Sequence, residues 1–287
     1  MSTGRCEFCL EIRNCPVCNE PVENFSHVGV RGSGLTKSTI WHIAHPCGHR
    51  VEISPEKISG TPGGAKLAKY KGGPVWKDGY QWINVFWGSY WVGNSWVGRL
   101  NKAVEDIESN SSYSGELSQY NVGAGSLEGH ALITTDPPSS VSEKDIGNAI
   151  NSWIQDSLVK NIGTKGAYNI FLPAGVTATL GSDRSCAKFC DYHDTANGDQ
   201  GPFFTCEPFP CGSGCNQCNS SEFDTLTQGL SEEMVELKTD MNPGTGWVIG
   251  NEEICDYCDT NFVCNRISTG EYINAWYSDA KGACWKP

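Results

Sequence analysis

Three glutamates, Glu232, Glu233 and Glu236, stand close together in the run TQGLSEEMVELKTDMNP (227–243). The surrounding pattern is helical: Leu226, Leu230, Met234 and Leu237 fall within an arc of about 80° at roughly 100° per residue, and Asp224 is placed to cap the start. On that wheel Glu233 lies inside the apolar stripe. Gly229 comes next and leaves space open beside the glutamates, and Glu236 and Glu232 follow within about another 100°. Carboxylates packed at i, i+1 and i+4 repel one another and lose hydration, so either a cation binds there or one carboxyl takes up a proton. The competing reading is a solvated acidic face, with Glu233 reaching backbone donors or a buried arginine, Arg184 or Arg266.

A second set of chemically competent residues is the cysteines, which fall into two groups. Cys6, Cys9, Cys15, Cys18 and Cys47 lie in the first fifty residues. There CEFC, CPVC and HPCGHRVEI have the look of a zinc ribbon: thiolates on tight knuckles chelate one tetrahedral ion, and four filled positions make it structural. The preferred ligand set is Cys15, Cys18, Cys47 and His49, with Cys6 and Cys9 as alternates; disulfides plus one histidine are the competing reading. The other ten cysteines crowd a glycine-rich C-terminal region and read as a disulfide framework, in which Cys255 and Cys258 are expected to pair with each other.

The elements that must position these residues follow from periodicity. YQWINVFWGSYW (80–91) reads as a strand buried on both faces, as does GAYNIFLPAG (166–175), with HALITT (130–135) and GPFFTCEPF as further strands. Residues 97–110 and 139–160 have helical spacing, and Ser142 with Asp145 forms a variant capping box. The Gly-, Pro- and Lys-rich residues 56–74 read as a linker. The expected organisation is therefore a zinc-ribbon-like module (1–55), a linker (56–74) and a cysteine-rich α/β (α+β) domain (75–287). The aromatic residues of WGSYWVGNSW (87–96) read as core, with stacking on sugars or peptides as the competing role.

Composition narrows the function classes. A formal charge of -12 argues against a nucleic-acid surface, which needs a basic patch, and suits cationic partners or metal ions. No apolar run is long enough to span a membrane, and the MSTGRCEF start lacks a signal-peptide core. The C-terminal cysteines and the Asn-x-Ser sequons at Asn24, Asn110 and Asn219 fit an oxidising, extracellular compartment, whereas a zinc ribbon without a leader fits the cytoplasm.

The run S-E-E-M-V-E-L-K-T-D, followed by Pro243 and Gly246-Trp247, resembles the SHELxExxTDP signature of secreted bacterial proteins related to the plant Exordium, or phosphate-induced, proteins. GGPVWKDGYQWINVFWGSYW (72–91), CDYHDTANGDQGPFFTCEPFPCGSGCNQC (190–218), EICDYCD (253–259) and INAWYSDAKGAC (273–284) resemble further elements of that family in the same order. The resemblance spans most of 72–287 and excludes the N-terminal ribbon. It implies a zincin-like metallopeptidase fold, in which Glu233 is the general base, Glu236 a metal ligand, and Glu232 stands where histidine is expected. Asp256 and Asp240 match acidic positions of the family, and His193 is the histidine placed to add nitrogen. An all-oxygen set of Glu232, Glu236 and Asp256 suits calcium, magnesium or manganese better than zinc, whereas nitrogen from His193 keeps zinc in view for the main domain. The function this implies is a metal-dependent hydrolase of peptides or proteins with a degenerate EExxE helix. The alternative is a catalytically inactive metal-binding member serving as a cell-wall or cell-surface binding protein.

Overall fold

The structure, a computed structural model, describes residues 67–211, 215, 221–259 and 265–285, together with three N-terminal strands. The chain divides into two compact units, 1–65 and 66–287. In the first unit, β1 (Asn24–Arg31), β2 (Thr39–His45) and β3 (Arg50–Ile53) form an antiparallel sheet in that order. Cys6, Cys9, Cys15, Cys18, Cys47 and His49, the expected zinc ligands, lie outside the described residues.

The second unit is a mixed α/β fold. Its strands are β4 (Lys69–Tyr70), β5 (Tyr80–Trp87), β6 (Gly125–Ile133), β7 (Ser140–Ser142), β8 (Gly166–Phe171), β9 (Thr177–Leu180), β10 (Asp183–Arg184), β11 (Tyr192–Thr195) and β12 (Phe203–Glu207), followed by β13 (Trp247–Ile249), β14 (Glu252–Glu253), β15 (Asn265–Arg266), β16 (Tyr272–Ile273), β17 (Trp276–Ser278) and β18 (Ala283–Trp285). Among the described residues its α-helices are α1 (Trp96–Ser109), α2 (Glu143–Gln155), α3 (Glu222–Thr239) and the single turn α4 (Asp256–Asp259).

The central sheet has the order β11-β12-β8-β5-β6, parallel throughout except for β11, the edge strand, which runs antiparallel to β12. Strand alternation sends Trp82 and Phe86 of β5, with Phe171 and Phe203, into a core shared with Leu100 and Val104 of α1 and Leu230 and Met234 of α3. Ile83, Val85, Ile170 and Phe204 point the other way, onto Ile146, Ile150 and Trp153 of α2. The result is helix, sheet, helix in three layers, with β5 and β8 apolar on both faces as their sequences require.

Local chemistry sets the boundaries. The strand expected to run to residue 91 stops at Trp87, because Gly88 turns with φ 116° and Asp136 accepts hydrogen bonds from the Ser89 N–H and hydroxyl. The expected capping box at Ser142 and Asp145 is formed, but α2 ends at Gln155, short of residue 160, and Ser157 takes φ 58°. Lys69 and Tyr70, within the stretch read as a linker, pair with β13. Of the 87–96 segment, Trp87 and Trp91 are core whereas Tyr90 and Val92 are exposed.

Among the described residues, disulfides link Cys186 to Cys211, Cys190 to Cys215 and Cys258 to Cys284. The expected Cys255–Cys258 pairing is incorrect. The one-turn helix α4 sends Cys258 to the C-terminal hairpin β17–β18, while the Cys255 thiol lies 3.9 Å from the Glu232 carbonyl. Among the described residues no helix is long and apolar enough to cross a membrane.

Candidate metal centre

Helix α3 carries the glutamates and is buried almost all round, held between the sheet and β16; only Glu222, Asp224 and Glu232 escape burial. Ser221, not Asp224, caps it: the Ser221 hydroxyl accepts from the Asp224 N–H at 3.2 Å, and the Asp224 carboxyl binds Arg266 at 3.1 Å. Neither Arg266 nor the exposed Arg184 is the partner of Glu233. That partner is His193 of β11, whose Nδ1 lies 3.1 Å from Glu233 Oε2. The same nitrogen is 3.9 Å from Glu236 Oε2 and 3.9 Å from Glu253 Oε2.

Glu236 is the centre of the arrangement. Its Oε1 accepts the Asp256 N–H at 3.1 Å. It also belongs to two groups whose ligand atoms all lie within 4.8 Å of one another: His193, Glu236 and Glu253 on one side, Glu232, Glu236 and Asp256 on the other. Thus all four expected ligands, Glu232, Glu236, Asp256 and His193, converge on one end of α3. Glu253 joins them; its signal in the sequence was its place three residues before Asp256. Asp240 belongs to neither group, although His193 and Glu253 act on it electrostatically; its carboxyl accepts the Gly244 N–H and the Thr245 hydroxyl and so closes the turn after the helix.

Glu233 is 4% exposed, Glu236 3% and His193 7%. Burial is the first cause holding both glutamates well above the usual carboxylate range; Glu236 and Asp191 then act on Glu233, and Glu253 and Glu232 on Glu236. One imidazole cannot neutralise this many carboxylates. The His193 Nε2 is also buried with no hydrogen-bond partner among the described residues. The other ring nitrogen, Nδ1, is the one beside the converging carboxylates, and an imidazole nitrogen among carboxylates fits the donor chemistry of a divalent cation.

Behind the site, a row of polar side chains crosses the whole sheet in register: His130, Asn84, Asn169, Thr205 and His193, one from each strand. The Thr205 hydroxyl donates to Asn169 Oδ1 (3.1 Å), Asn169 Nδ2 to Asn84 Oδ1 (2.8 Å), and Asn84 Nδ2 to Asn101 Oδ1 of α1 (2.8 Å). Asn101 Nδ2 meets His130 Nδ1 at 3.0 Å. A one-residue slip of β12, β8, β5 or β6 would break this chain, which ends at Thr205; the antiparallel β11–β12 pairing then sets His193 opposite Thr205.

Gly229 does not leave open space. The Asp191 carboxyl fills it, and a Cβ on Gly229 would lie 1.7 Å from Asp191 Oδ2. Beside this contact is a cleft of about 360 Å³, lined by Asp191, Gln228, Gly229, Glu232, Glu233 and Asp256, and walled by the 186–190 loop with its two disulfides. Asp191 and Glu207 were not anticipated, although Asp191 sits two residues before His193 and so on the same face of the strand.

No protein-family model matches the chain, and neither a curated protein nor a solved structure does.

Proposed function

We propose that the larger unit is a metallopeptidase-like hydrolase domain with a divalent-cation centre and a degenerate EExxE helix, acting on peptides or proteins. The observation that carries this reading is the convergence of His193, Glu236 and Glu253, and of Glu232 and Asp256, about one buried carboxyl. Histidine is missing from the head of the helix, and an imidazole from the sheet edge enters instead. With His193 the set suits zinc or manganese; through Glu232, Glu236 and Asp256 it suits calcium or magnesium. The resemblance to the Exordium-related proteins points the same way, towards a zincin-like arrangement in an extracellular protein, and the disulfides fit that compartment.

A divalent cation supplies Lewis-acid polarisation of a substrate carbonyl. The chain's own residues do the rest. Glu233, whose Oε2 lies 3.1 Å from His193 Nδ1, is the proton acceptor that takes a proton from water and returns it to a leaving amine. Glu232 and Asp256, which line the cleft, would hold the cation together with Glu236. Hydrolysis of a mixed peptide library by divalent-loaded protein tests this: activity is expected in the native chain and lost in Glu233→Gln.

The near-complete burial of Glu233 favours a second reading, an inactive metal-binding protein that engages a cell-wall or cell-surface ligand. That reading predicts bound metal with no hydrolysis, and activity only in Glu232→His, which restores the leading histidine.

A further inference from the structure

The cleft beside α3 contains more acid than the cation groupings use. Asp191 belongs to neither of them. It is instead the residue before β11, and continuing the Tyr192–Cys206 pairing by one residue sets Asp191 opposite Glu207. Glu207 pairs with Phe171, a member of the core under α1 and α3, so its side chain faces the layer that contains α3. It is 1% exposed, and neither of its carboxyl oxygens meets a hydrogen-bond donor among the described residues. Evolutionary convenience would place an apolar residue there; a carboxyl at that depth costs about 1–3 kcal/mol or more when unsatisfied.

The cleft itself has room for an organic group. At about 360 Å³ it far exceeds a single ion, and its lining sets Asp191, Glu232, Glu233 and Asp256 against one cation, Lys188. Gly229 is the residue that lets Asp191 lie flat on the helix at the cleft floor. Two disulfides, Cys186–Cys211 and Cys190–Cys215, hold the wall against it.

We infer that this cleft is a subsite for an organic cation, the ammonium or guanidinium of a peptide, held by Asp191 with Glu207 buried behind it. The inference rests on the peptide-directed reading above and adds to it the substrate class: peptides carrying a lysine or arginine side chain or a free amino terminus next to the reacting bond. A charge-assisted contact of this kind is worth about tenfold or more in affinity.

The test measures binding to full-length Glu233→Gln protein, with and without added manganese. The probes are Ac-Ala-Lys-Ala-amide, its norleucine counterpart, and Ala-norleucine-Ala-amide with a free amino terminus. At least one cationic probe is expected to bind about tenfold more tightly than the doubly neutral peptide, and which one does identifies the source of the cation. Asp191→Asn is expected to abolish that preference without changing the metal content or the thermal midpoint. Equal binding of all three probes to the parent protein overturns the proposal, as does a preference that survives Asp191→Asn. A change in metal content in Asp191→Asn also overturns it, because it would make Asp191 a metal ligand. A preference found in protein that fails to bind the added manganese separates the two readings: the subsite stands and the metal centre falls.

Discussion

Glu236, between His193 on one side and Asp256 on the other, gathers the site because its carboxyl is buried yet flanked by more acid than base. Glu207, Glu233 and Glu236 all have folded-state pKa values raised above the ordinary value of 4.5, burial being the first cause. Their stabilising contribution in cation-free protein is therefore fully present below that ordinary value and is lost as pH rises through the raised folded values. Urea unfolding in chelator is expected to give lower stability at about pH 8 than at about pH 5, and a divalent cation is expected to restore stability at the higher pH; stability that climbs with pH in chelator would contradict this. At Gly229, an added Cβ meets Asp191 Oδ2 at 1.7 Å. Gly229→Ala is expected to cost about 1–3 kcal/mol, and much less in an Asp191→Ala background; equal cost in both backgrounds would show that the contact does not matter. The acidic helix and the burial of Glu233 were legible in the sequence, because both follow from local periodicity; the occupant of the space beside Gly229 was not, because Asp191 comes from a distant part of the chain. His193 as the partner of Glu233, and Glu253 and Asp191 as neighbours, depend on which strand forms the sheet edge, and local spacing does not encode that.

Helix α3 and strands β5 and β6 are tied to α1 through one buried carboxyl. Glu108 accepts from Lys238 Nζ at 2.8 Å, from Trp82 Nε1 at 3.2 Å and from the Gly125 N–H at 2.6 Å. Lys238 is almost wholly buried, so Lys238→Ala leaves Glu108 charged and short of its cation and is expected to cost about 3–5 kcal/mol. A Lys238→Met, Glu108→Gln double variant should recover a good part of that cost, as read from urea midpoints. If Lys238→Ala unfolds no more easily than the parent, the ion pair is not what anchors the helix. The elements themselves were mostly legible. Unbroken apolar runs marked β5 and β8, and the Ser142–Asp145 box marked the start of α2. Their ends were less so, since the turn after Gly88 is held by the distant Asp136 and α2 stops where Ser157 takes a left-handed conformation that the apolar spacing does not mark. Cysteine connectivity was illegible for the same reason: the Cys258–Cys284 bond follows from where β17–β18 packs, not from the short spacing to Cys255.

At the scale of the larger unit, a chain of net charge -12 sets Asp191, Glu232, Glu233 and Asp256 about one cleft whose wall carries two cross-links. Each of the Cys186–Cys211 and Cys190–Cys215 bonds spans 25 residues, and loop entropy alone credits a closure of that size with about 3.5 kcal/mol. Reduction is expected to lower the urea midpoint and weaken cation binding together; an unchanged affinity after reduction would separate the loop from the site. The central claim is that a divalent cation belongs to α3. The most direct measurement is elemental analysis of metal per chain, after equilibrium dialysis, in the full-length protein and in Glu236→Gln. Any metal bound by the N-terminal unit is common to both and cancels. The account predicts one equivalent fewer in Glu236→Gln; identical metal content in the two proteins would contradict it.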